Sequence, residues 1–111
     1  MSNKLENAKI LIIGGVGFIG SFLAKEILKE PVKEVIIYDN LQRGKIDNIE
    51  DSLKDPRCKI FPYGGDVRDV DILDKAMEGV DYVFHLAAMW ILHCKDFPRT
   101  AFEVNIAGTF N

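Results

Sequence analysis

The sequence is poor in the features that would mark several classes of protein. It holds 2 cysteines, Cys58 and Cys94, too few for a disulfide framework, and both read as reduced thiols. No apolar run approaches the roughly 18 residues that a membrane-spanning helix needs. The opening MSNKLENAK is polar and lacks the apolar core of a secretory signal. Lysine and arginine form no run, and the net charge is -3, which argues against a nucleic-acid or anionic-membrane surface. No segment repeats and none is of low complexity. These absences leave the cytoplasm as the expected compartment, with neither nucleic acid nor membrane among the expected partners.

What is present suits one soluble domain spanning residues 1–111, with 48% hydrophobic and 28% charged residues. After a polar tail, strands and helices alternate. KILII at 9–13 and KEVIIY at 33–38 are continuous apolar runs, as in parallel strands buried on both faces. Between them, apolar residues at helical spacing (Ile19, Phe22, Leu23, Ile27) predict a helix over 17–30, closed by Pro31. A polar stretch follows, with a short helix expected over 47–53. KIFPY at 59–63 reads as a third strand and VDYVFHL at 80–86 as a fourth. The helix between them is opened by Asp69 and closed near Gly79. A last helix opens at Asp96 or Phe97, with Pro98 in its first turn. Right-handed crossovers then give an α/β fold, the N-terminal half of a doubly wound Rossmann sheet in the order 3-2-1-4.

The densest signal is GGVGFIG over 14–20. It places small residues where a strand turns sharply into a helix. Gly14 permits the turn, Gly17 lets the backbone approach a pyrophosphate, and Gly20 lets the helix pack closely. The amides of Phe18 and Ile19 at the helix start would hold the anion. A tight turn with no ligand would use the same glycines, but here a strand precedes and an amphipathic helix follows. No Lys-Ser or Lys-Thr follows the glycines, which disfavours an NTPase loop.

Asp39 stands just after the second strand, at about the 20-residue distance from Gly20 that the dinucleotide fingerprint requires. Its carboxylate would accept from the adenosine ribose hydroxyls and repel a 2′-phosphate, so NAD is expected over NADP. A turn aspartate before Asn40 is the plainer alternative, and Arg43 could meet a 2′-phosphate.

Four blocks, GGVGFIG at 14–20, YDNLQRG at 38–44, GDVRD at 65–69 and HLAA at 85–88, with VNIAGT at 104–109, resemble the NAD-dependent epimerase/dehydratase family. This is a family of the extended short-chain dehydrogenase/reductase superfamily that acts on nucleotide sugars. The resemblance covers nearly the whole chain and is nearest to epimerases of UDP-glucose. It implies that Asp66 accepts from the adenine amino group while the Val67 backbone meets the ring. It implies that Asn40, Arg43 and Gly44 line the adenosine ribose, and that Leu86, Ala87 and Ala88 let the strand end pass under the cofactor. It implies that Asn105 braces the backbone near the nicotinamide. Ile13 departs from the threonine common among relatives, and Met89–Cys94 is more apolar than expected.

The family's chemistry is transient hydride transfer between a sugar carbon and NAD, with a tyrosine as acid/base and a lysine four residues later. The tyrosines here are Tyr38, Tyr63 and Tyr82, and four positions on stand Gln42, Val67 and Leu86. The catalytic Ser/Thr and Tyr-x-x-x-Lys are therefore expected downstream, none in this chain, and the 111 residues alone are expected to be inactive. No metal is expected, because His85, His93 and Cys94 do not make the ligand set of a zinc site, and His85 reads as a core or near-cofactor residue. A homodimer with a nucleotide-sugar substrate is expected of the longer protein. The competing reading is a non-catalytic NAD-binding regulatory or sensor relative.

Overall fold

The computed structural model describes residues 4–41, 45–87 and 91–111. Strand β1 (Lys9–Ile13) leads through the glycine turn into helix α1 (Phe18–Ile27), and β2 (Glu34–Tyr38) follows. A 3₁₀ turn at Ile46–Ile49 runs into the short α2 (Glu50–Leu53), then come β3 (Cys58–Ile60), α3 (Val70–Ala76) and β4 (Tyr82–His85). After α4 (Ile91–Asp96), a last helical stretch is built from α5 (Pro98–Phe102), a widened π turn (Glu103–Ala107) and α6 (Gly108–Phe110).

All pairings are parallel, in the order β3-β2-β1-β4. The two central strands explain the doubly wound arrangement. Successive side chains point to opposite faces of a strand, so an unbroken apolar run feeds two cores. Ile10, Ile12, Val35 and Ile37 go to one face with Ala24 and Ile27 of α1 and Ile49. Leu11, Ile13, Ile36 and Tyr38 go to the other with Val67, Leu73 and Ala76. Each fully buried side chain of this size contributes ~1.5–3 kcal/mol. Arg57 ties the end of α1 to β3: its Nη1 donates to the carbonyl of Glu30 at 2.9 Å and its Nη2 to that of Leu28 at 2.5 Å. The guanidinium thus fastens the segment that follows α1 to the start of β3.

Several sequence expectations are corrected. β3 stops at Ile60, ahead of Pro62, which has no N–H to give a ladder. β4 is an edge of the described sheet and leaves Tyr82, Val83 and His85 exposed. Asp69 occupies the N-cap position of α3 without a side-chain capping bond. Helix α4 and the π turn were not anticipated.

Candidate functional site

The C-terminal ends of the four parallel strands gather the loops that follow them. The turn after β1 is fixed by its own backbone. The Gly14 amide donates to Tyr38 O at 2.8 Å, and the Gly17 amide to Gly14 O at 3.2 Å. Gly14 has φ +87°, a conformation that a residue with a Cβ rarely adopts. A side chain there would also meet the Ala87 amide at 2.9 Å, so the end of β4 lies directly against the turn. At Gly20 a Cβ would run into Gly14 O and Gly15 Cα, which accounts for the close packing of α1.

The acid after β2 closes on this turn. Asp39 Oδ2 accepts from the Val16 amide at 2.9 Å and Oδ1 from the Leu41 amide at 2.7 Å. A carboxylate has about four acceptor sites, so one remains on each oxygen. Leu41 is held at φ 62°, an uncommon conformation for a bulky residue, by that second bond. Asn48 supports the turn from the 3₁₀ segment, donating its amide to Val16 O at 2.9 Å. Ser21 is the first amide of α1 with a helical acceptor, Gly17 O at 2.9 Å. The amides of Phe18 and Ile19 before it belong to the helix's unpaired first turn, and both side chains are exposed.

The loop after β3 lies against the same place. Gly65 packs so tightly on the backbone of Asp39 and Asn40 that any side chain would overlap it. The Tyr38 hydroxyl donates to Asp66 O at 2.7 Å. Val67 is buried beneath Gly108, and Asn111 donates its amide to Val67 O at 3.2 Å. The Asp66 carboxylate forms an ion pair with Arg68, whose hydrogen bonds hold its pKa below the usual carboxylate value.

The structure thus brings Gly14, Gly17, Asp39, Asp66 and Ala87 into neighbouring loops, with Gly20 beside them in the first turn of α1. Asn40 is exposed beside Asp39, and Leu86 donates its amide to Ile13 O at 2.8 Å. Asn105 lies in the π turn, its amide donating to Cys94 Sγ at 3.6 Å. Arg43, Gly44 and Ala88 lie outside the described residues. The core alternative for His85 is overturned: it is exposed, with Nε2 2.9 Å from Thr109 Oγ1. The Thr109 hydroxyl donates to Asn105 O, so the ring nitrogen is the donor. Among the described residues no three His, Cys, Asp or Glu side chains gather as a metal site would need. Tyr38, Asn48 and Arg68 are parts of the site that sequence reasoning missed, since nothing in local spacing announces a long-range hydrogen bond.

Burial, and then the charges of Asp69 and Asp66, raise the Tyr38 pKa from 10.0 to about 12. The folded state therefore keeps a proton that the unfolded state releases, and stability falls as pH rises from 10 through about 12. A Tyr38→Phe variant should be less stable at neutral pH by about 1–2 kcal/mol, having left the Asp66 carbonyl without its donor. Its melting temperature should then decline less steeply with alkali. Parallel declines in the two proteins over that range would refute this.

The sequence profile described as polysaccharide biosynthesis protein matches residues 10–111. A UDP-glucose 4-epimerase of Rickettsia bellii is 38% identical over 108 residues, which cover 92% of this chain and 30% of the relative. The Bordetella bronchiseptica enzyme WbmF, solved in complex with NAD+, superposes with a TM-score of 0.83 at 30% identity, covering 97% of this chain and 32% of that one. DesIV of Streptomyces venezuelae, a dTDP-glucose 4,6-dehydratase solved with NAD and TYD bound, gives a TM-score of 0.82 at 32% identity, over 91% of this chain and 33% of its own. The chain therefore spans about a third of the length of the proteins it matches.

Proposed function

The chain belongs to the NAD-dependent epimerase/dehydratase family, and from that premise we propose that it forms the NAD-binding domain, residues 1–111, of a nucleotide-sugar epimerase or dehydratase. The observation that carries this reading is the closure of Asp39 on the glycine turn, Val16 N to Asp39 Oδ2 at 2.9 Å. It sets a carboxylate with free acceptor sites beside a helix start with free amide donors.

The residues fit the cofactor. At Gly17 the protein itself offers a Cβ only one neighbour, Gly14 O at 3.4 Å. The space the missing side chain leaves is therefore open to a ligand. The amides of Phe18 and Ile19 would hold a pyrophosphate, and Asp39, with Asn40, Arg43 and Gly44, the adenosine ribose. Asp66 and the Val67 backbone would read adenine. Leu86, Ala87 and Ala88 would floor the path to the nicotinamide, with Asn105 bracing its far side. The bound nicotinamide supplies reversible hydride transfer with a sugar carbon.

The proton-transfer groups lie outside this chain. Tyr38 has its hydroxyl buried, bonded to a carbonyl and raised to about 12, which unsuits it as a base near neutral pH. The 111 residues by themselves are thus read as inactive. A homodimer of the longer protein is part of the proposal, and light scattering tests it. The cytoplasm is the compartment proposed. Among the described residues no helix is long and apolar enough to cross a membrane.

Calorimetric titration with NAD and NADP tests the reading. NAD should bind more tightly, because a 2′-phosphate would face the Asp39 carboxylate. Asp39→Ser should weaken NAD about tenfold and narrow the gap to NADP. Equal or tighter NADP binding by the unsubstituted protein would overturn the assignment, and absence of binding to either would overturn the site.

A further inference from the structure

Arg68 follows the adenine-side aspartate by two residues and is half-exposed, yet it is held from both ends. Its backbone amide donates to Asp66 Oδ1 at 2.9 Å. Its Nε reaches Oδ1 at 3.0 Å and Oδ2 at 3.1 Å, and its Nη2 reaches Oδ2 at 2.6 Å. On the other side its Nη1 lies 3.7 Å from Glu103 Oε2 in the π turn. A guanidinium fork of this kind fixes the plane of the carboxylate it grips, which a lysine cannot do.

We propose that Arg68 is the positioning residue for base selection: it fixes the plane of the Asp66 carboxylate so that an oxygen of it faces, and accepts from, the amino group of adenine. This rests on the reading above that Asp66 faces the adenine. The count follows from the geometry. Three Arg68 donors make four contacts with Asp66, two on each oxygen, and the shared Nε bond to Oδ2 at 3.1 Å is the longest and the one an adenine amino hydrogen would displace. The Tyr38 hydroxyl on Asp66 O and the Asn111 amide on Val67 O fix the backbone at the same place. The carboxylate is therefore constrained at its root and at its tip. The Arg68 bonds also keep it ionised below the usual carboxylate range, so it stays an acceptor. A half-exposed ion pair adds little to fold stability, so the contact's value lies in direction.

The test compares NAD with its hypoxanthine counterpart, in which the amino group is replaced by a carbonyl. That exchange sets an acceptor oxygen against the Asp66 carboxylate. The unsubstituted protein should prefer adenine by about tenfold or more. Arg68→Gln should lose most of that preference while its melting temperature stays close to the parent's, and Arg68→Lys should restore only part of it. The pH below which NAD binding weakens should also move upward in Arg68→Gln, as the carboxylate returns toward its ordinary range. If Arg68→Gln does not fold, Glu103→Gln, which frees the far side of the guanidinium, should show the same loss in smaller degree. Unchanged preference in Arg68→Gln, or in Glu103→Gln where that variant is the one measured, would overturn the positioning role while leaving the site intact. Equal binding of the two dinucleotides by the unsubstituted protein would instead overturn the placement of Asp66 against adenine.

Discussion

A Gly17→Val protein should fold and yet bind NAD about 100-fold more weakly, or not at all. Gly17 caps the start of α1 with φ -71° and ψ 177°, extended backbone that valine adopts readily. The Cβ it lacks would find Gly14 O at 3.4 Å, an ordinary contact. The added Cβ therefore meets no protein atom it must displace. Valine is a poorer N-cap than glycine, which should cost about 1 kcal/mol and a small fall in melting temperature. What valine does fill is the space in front of the turn, where a pyrophosphate would lie against the backbone. Gly20→Ala is the contrasting case, since its Cβ meets backbone at Gly14 O and Gly15 Cα, and it should lose fold and binding together. Unchanged NAD affinity in a folded Gly17→Val protein, measured by calorimetry beside a thermal melt, would show that the loop is a turn and nothing more.

Gly65→Ala should be the most damaging single methyl group in the site. The added carbon would fall on the carbonyl of Asp39, with Asn40 N at 2.7 Å, all of it backbone that cannot rotate away. Relief requires the loop after β3 to part from the end of β2. That would break the Tyr38 to Asp66 bond and separate Asp39 from Asp66. Overpacking a rigid contact of this kind costs about 3 kcal/mol or more, a large share of the roughly 5–15 kcal/mol that stabilises a domain. Urea unfolding should show the loss, and NAD binding should vanish with it. A Gly65→Ala protein as stable as its parent would mean that the two loops do not pack in this way.

The parts of the molecule that sequence reveals are those set by local demands. β1 was read to the residue, because an apolar run lies between a polar tail and Gly14. β2 was read to within one residue for the same reason. The order 3-2-1-4 followed from alternation and crossover handedness, and it is the order observed. The glycine turn and Asp39 were legible because each answers a backbone requirement at one place. The grip of Arg68 on Asp66 and Glu103 was not, nor was that of Asn48 on Val16. Such bonds join segments whose proximity exists only after the sheet is built. The widened turn at Glu103–Ala107 leaves no trace in apolar spacing.

The parallel pairing also sets an order of assembly. β1 is the middle of the sheet and the first strand made, but both its partners come later. One side waits for Glu34–Tyr38. The other waits for Tyr82–His85, and the Lys9 to Asp81 bond at its start spans 72 positions. A chain growing from its N-terminus thus carries its most apolar strand half-paired until Tyr82–His85 has been synthesised. Loop-closure entropy must be met before those distant contacts reward it, so folding should be slow for the chain's size. Until β4 arrives, the open side of β1 is the segment most in need of shelter from other nascent chains.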